Sequence, residues 1–152
     1  KQIDAAFSWD PMPAMCANTD VCKVAIDLRK GEGPAEIKEM NGGFMVWQAR
    51  RQYVEKNAAA IDAFRAALSE ATAWVKDPKN HKEVFEITSA NFQLGDMPNR
   101  EKVMDQVVNE AIAQVGTQFD RKSAKAANDF LLSAKAIDNG VDPNAIIYDK
   151  IP

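Results

Sequence analysis

The chain has 152 residues, 46% of them hydrophobic and 27% charged, which is enough apolar material for one ordinary domain with a core. A formal net charge of −3 provides no basic footprint for a nucleic acid. No apolar run approaches the ~20 residues that cross a bilayer as a helix.

The first predicted element is a β-strand, Ile3 to Ser8, apolar enough to be covered on both faces. A strand this early, with nothing before it to pair with, reads as a piece of a larger protein. Asp10 follows as a helix N-cap, with Pro11 at the first helical position, where its missing N–H costs nothing. That helix is short, because Pro13 is tolerated only in a first turn and Asn18-Thr19-Asp20 closes it. Val21 to Leu28 alternates and is rich in β-branched residues, a second strand. Arg29 to Asn41, with Gly31, Gly33 and Pro34 among charges, is a surface loop with one helical turn around Ile37. Gly42-Gly43-Phe44-Met45-Val46-Trp47 forms a third strand, opened by two glycines that let another group approach the backbone.

From Tyr53 onward the pattern is helical. Ile61, Phe64, Leu68, Ala71 and Val75 form one apolar stripe on a helix of roughly 57–76, which Asp77-Pro78 ends. A second helix spans about 80–91 with Val84, Phe85 and Thr88 inward. A third opens at Asp96 to Asn99 with Val103, Met104, Val107, Ala111 and Val115 as its stripe. A fourth starts at Asp120 or Ser123, carries Ala127, Phe130, Leu131 and Ala134, and stops at Asn139-Gly140 as a C-cap. Ile146-Ile147-Tyr148 is a short apolar anchor. The expected class is α/β, a few strands followed by four helices. Three strands are too few for a comfortable sheet under four helices.

No catalytic constellation is present: there is no Gly-x-Ser-x-Gly elbow, no phosphate-cradling glycine loop and no His-Glu-x-x-His pair. The single histidine, His81, lies among Lys79, Asn80 and Lys82 and reads as a solvated residue. No metal site and no cofactor is expected. Cys16 and Cys22 either close a small disulfide loop in an exported protein or remain two buried thiols. Ser8, Trp9 and Asp10 sit where a strand meets a helix N-terminus, a place that favours small ligands. Trp9 can stack on a ligand or fill a core, and Asp10 can hold an amine or cap its helix. The amide of Met12 and its neighbours would favour an anion such as a sulfonate or carboxylate. Gly42-Gly43 either turns the chain or exposes backbone amides to a ligand.

The string Ile3-Asp4-Ala5 followed by Ser8-Trp9-Asp10-Pro11 resembles the periplasmic substrate-binding proteins of nitrate, taurine, aliphatic-sulfonate and pyrimidine-precursor ABC importers. Gly43-Phe44-Met45-Val46, the run Arg50 to Asn57 and the helix from Ile61 to Val75 are similar to later stretches of the same family, in the same order. Ala58 departs from the proline that often follows Lys-Asn there, which touches only the helix start. The resemblance implies the C-terminal half of a two-lobed, type II periplasmic binding fold. Residues 1–41 would end the second lobe, 42–48 would make the return hinge strand, and 49–152 would be helical and pack on a first lobe largely absent here. It further implies that Ser8, Trp9, Asp10 and Met12 face an interlobe cleft, with Gly43 and Phe44 near its hinge side. A small solute would be captured there and delivered to a membrane permease, in the periplasm, with no bond made or broken. The partners implied are the solute, the permease, and the missing N-terminal half or a swapped partner chain. A pyrimidine-precursor synthesis enzyme of the same fold and a small helical interaction domain are the two alternatives.

Overall fold

The computed structural model describes residues 3–40, 46–117 and 119–148. Among them no residue lies in a strand and no two segments pair into a sheet. The expected α/β class is therefore corrected to an all-helical one. Ile3 to Ser8 and Val21 to Leu28 run as irregular backbone, apart from one 3₁₀ turn beginning at Leu28. Their apolar side chains remain in solvent, with Phe7 82% and Val21 83% exposed. A β pattern is only a potential for pairing: without a neighbour to take its N–H and C=O groups, it makes no strand. The third expected strand falls largely on residues 41–45, outside the described residues; Val46 and Trp47 beyond it are irregular and exposed.

The helices are α1 (Met12–Asn18), α2 (Ala35–Lys38), α3 (Arg51–Lys56), α4 (Ala58–Lys76), α5 (His81–Asn91), α6 (Arg100–Gln114), α7 (Arg121–Ser133) and α8 (Pro143–Ile146). They divide between two compact units, Lys1–Ala25 with Asp62–Thr117 and Ile26–Ile61 with Gln118–Pro152.

The first unit is organised by α6, which buries two adjacent rows of side chains. Val103 and Val107 meet Ala14 of α1, with Met15, Leu94 and Met97 against them. Met104 and Val108 meet Val84 of α5, with Trp74, Val75, Phe85, Leu94 and Ile112 closing the cluster. Residues one apart differ by about 100° around a helix, so two i,i+4 pairs offset by one make a broad apolar face that serves two neighbours. The expected stripe on α6 lacked Val108 and ran too far, since Ala111 and Val115 are exposed. Polar ties reinforce the α1–α6 contact: Asn18 Nδ2 donates to Gln106 Oε1 at 2.7 Å, and Asn99 Nδ2 donates to the Asn18 carbonyl at 2.8 Å. Cys16 and Cys22 are joined in a disulfide that ties the last turn of α1 to the chain beyond it.

The α4 helix starts and stops where its pattern and Asp77-Pro78 place it, yet none of its residues is fully buried. Of its expected stripe, Phe64 is 42% exposed and Ala71 is exposed. Asn80 Nδ2 satisfies the Trp74 carbonyl near its end, 2.9 Å away.

In the second unit the buried described side chains are Asp27 and Ser123, both polar. The α7 helix packs on α2 and on α8. Asp120 caps α7, its Oδ1 accepting from the amides of Lys122 and Ser123 at 2.9 and 3.1 Å. The helix ends at Ser133, and Ala134, not Asn139-Gly140, occupies its C-cap. Lys135 takes the left-handed turn with φ 55°. Gly33, at φ 105°, occupies a conformation that L side chains rarely adopt, and a Cβ there would meet Leu28 Cδ2 at 3.2 Å.

Candidate functional site

The Asp10 side chain does not cap α1. Pro11 holds the N-cap position, no side-chain cap bond is made, and Met12 is the first helical residue. The amides near this end find backbone partners, Met12 N–H donating to Trp9 O at 3.1 Å and Met15 N–H to Pro11 O at 2.9 Å. With seven residues and these bonds, α1 offers no anion-binding helix terminus, which corrects that expectation for Met12. Ser8 Oγ donates to the carbonyl of Trp9 at 3.3 Å. Trp9 fills no core: it is 78% exposed, and Phe7 and Ile3 earlier in the same segment are also largely exposed. Ser8, Trp9, Asp10 and Met12 thus lie together on one short stretch of the first unit, with the indole face open to solvent. Gly43 and Phe44 lie outside the described residues.

Two concave surfaces were not legible in the sequence. In the first unit, α5 and α6 flank an open groove of about 1020 Å³ whose wall includes Phe85, Lys102 and Asp105. Along it His81 Nε2 lies 2.8 Å from Asn109 Oδ1, and Asn109 Nδ2 donates to Asp105 Oδ2 at 3.0 Å. The amide oxygen of Asn109 can only accept, so His81 donates from Nε2. His81 is therefore partly buried and engaged, not simply solvated as its neighbours in sequence suggested. Asn109 lies 28 positions away, beyond the reach of any local pattern.

In the second unit, the N-terminal half of α7 and the loop before α8 bound a cleft of about 550 Å³. Arg121, Lys122 and Lys125 bring three cations to it. Each is engaged: Arg121 Nη1 donates to Asn144 Oδ1 at 3.2 Å, Lys122 Nζ pairs with Glu39 at 3.2 Å, and Lys125 Nζ pairs with Asp129 at 2.6 Å. The hydrogen bond from Lys125 holds the Asp129 carboxyl below its usual range. Among the described residues no group of three metal-ligating side chains converges, and no helix is long and apolar enough to cross a membrane.

The most tightly held charge is structural. Arg29 donates from Nε to Asp27 Oδ1 at 3.0 Å and from Nη2 to Oδ2 at 3.1 Å, and its backbone N–H also reaches Oδ1. These bonds, chiefly those from the Arg29 side chain, hold the Asp27 carboxyl below its ordinary value. A carboxyl with a depressed folded pKa stabilises above its unfolded pKa, and the contribution is lost as pH falls through the folded value. Asp27→Asn is thus expected to cost about 1–2 kcal/mol at neutral pH. Urea titrations at a series of pH values should show the gap to the parent chain closing below the usual carboxylate range. A gap independent of pH would mean that Asp27 acts through shape alone.

Comparison with protein-family models, with curated proteins and with solved structures yields no match to this chain.

Proposed function

We propose that the chain is part of the solute-binding component of an ABC importer, capturing a small organic or anionic solute of the sulfonate, taurine, nitrate or pyrimidine-precursor type for a membrane permease. The observation that carries this reading is the state of Trp9. A core role competed with ligand binding at this residue. Trp9 is 78% exposed, so the core does not claim it. An open indole face can stack on a small solute.

Further support comes from what lacks a cover. Phe7 and Val21 expose large apolar surfaces, and the second unit's buried described side chains, Asp27 and Ser123, are both polar. Chain that packs on these surfaces, from the rest of the receptor or from a swapped partner, supplies the opposite wall of the site. The Cys16–Cys22 disulfide suits an oxidising compartment such as the periplasm. No bond of the solute is made or broken in this role.

Titration of the chain with taurine, an aliphatic sulfonate, nitrate and a pyrimidine precursor, followed by tryptophan fluorescence and calorimetry, tests the reading. One of them is expected to saturate, and Trp9→Ala to weaken it about tenfold, the ~1.4 kcal/mol of a lost aromatic contact. Asp10→Ala should weaken an amine-bearing solute and spare a simple anion. Binding untouched by both substitutions would remove this stretch from the site. The all-helical architecture favours one second reading, a helical interaction module, which predicts no saturable binding of any of the four.

A further inference from the structure

Asn139-Gly140 has the sequence of a helix stop but does not serve as one. The C-terminal end of α7 is completed six residues earlier by Ala134 and the left-handed Lys135. Asn139 instead lies in an exposed bend, and Gly140 after it is exposed as well. Among the described residues, no hydrogen bond engages the Asn139 side chain or the Gly140 N–H. The residue that follows is held: Val141 N–H donates to Asn128 Oδ1 at 2.7 Å. A Cβ built at position 140 would lie 2.9 Å from Leu132 Cδ1 and 3.1 Å from Asn128 Nδ2. A side chain at position 140 would therefore displace the ends of the Leu132 and Asn128 side chains.

We infer that Asn139 is a site of spontaneous modification, cyclising onto Gly140 and converting to an aspartyl or isoaspartyl residue in the folded protein. The Gly140 nitrogen, its proton taken by solvent base, attacks Asn139 Cγ. The new C–N bond forms as the Cγ–Nδ2 bond breaks, and ammonia leaves. Water then opens the five-membered imide at either carbonyl, so the net change is one water consumed and one ammonia released. Three features favour the reaction: an amide side chain with no competing partner, a backbone N–H with none to lose, and no Cβ on the attacking residue to obstruct approach. The consequence is electrostatic as well as covalent. Position 139 directly precedes the loop Gly140 to Asn144, which lines the cleft with Arg121, Lys122 and Lys125, so a new carboxylate arises next to that loop. The isoaspartyl product also lengthens the backbone by one methylene immediately before Gly140.

The test is peptide mapping of the intact, folded chain after incubation at mildly alkaline pH, with a parallel sample in urea. Trypsin isolates residues 136–150, which contain Asn139 and, as an internal reference, Asn144 followed by alanine. We expect the mass gain of an amide-to-acid exchange at position 139, an isoaspartyl fraction detected by enzymatic methylation, and an unchanged Asn144. Because an exposed bend opens at little free-energy cost, the folded chain should convert within about tenfold of the rate in urea. Asn139→Gln, which would need a six-membered ring, should remain unmodified. Conversion in urea with none in the folded chain would overturn the inference, as would equal conversion at Asn144.

Discussion

Met104→Ala is expected to destabilise the first unit by about 2–5 kcal/mol, the range for truncating a long side chain in a closed core. Met104 is 2% exposed and shares a buried cluster with Val84 of α5 and Val108 of its own helix, against which Trp74, Val75 and Phe85 pack. The substitution removes apolar area from that cluster and leaves a void that rigid helices close only in part. Against a total stability of about 5–15 kcal/mol, a loss of this size is plain in a urea titration. Water reaching the void should shift Trp74 emission to the red, and amide exchange in α5 and α6 should quicken. A cost below about 1 kcal/mol, ordinary for a surface change, would show that α6 does not present this face to α5.

Reduction of Cys16–Cys22, or Cys16→Ser with Cys22→Ser, is expected to cost about 2 kcal/mol by the chain-entropy relation for so short a loop. For a chain of this size that lowers Tm by about 4–8 °C. The effect should be local. A helix of seven residues is unstable by itself, and α1 is held to α6 mainly through Ala14, Met15 and the Asn18 hydrogen bonds. Without the cross-link, amides of residues 12–18 should exchange faster while those of α7 do not. An unchanged Tm in a sample that titrates two free thiols would mean that the bond adds nothing to the folded state.

The helical portion was legible because its signals are local. A stripe at three- and four-residue spacing located the helices ending at Lys76 and Asn91, Asp77-Pro78 stopped the first of them, and Asp120 opened α7 with the hydrogen bonds expected of its side chain. Val103, Met104 and Val107 were recognisable as buried from that spacing alone. The same reasoning failed on α4, whose stripe is equally regular and yet exposed at Phe64. Periodicity states which face a helix would bury, and only a neighbouring element decides whether it does.

Every larger error follows from the same distinction. Ile3 to Ser8 and Val21 to Leu28 carry the composition of strands, but a strand is completed by another strand, and among the described residues none is paired. Asn139-Gly140 carries the chemistry of a helix stop, but a stop six residues upstream left it in an open bend. His81 meets Asn109, Cys16 meets Cys22, and Arg29 closes on Asp27 through arrangements that composition permits without requiring. By itself the sequence determined where the long helices run, because each residue's contribution to a helix is set within four positions along the chain. Only the tertiary structure decided which apolar faces are covered, whether β-like segments pair, and whether Trp9 is a core residue or an open surface, because those outcomes depend on partners remote in sequence.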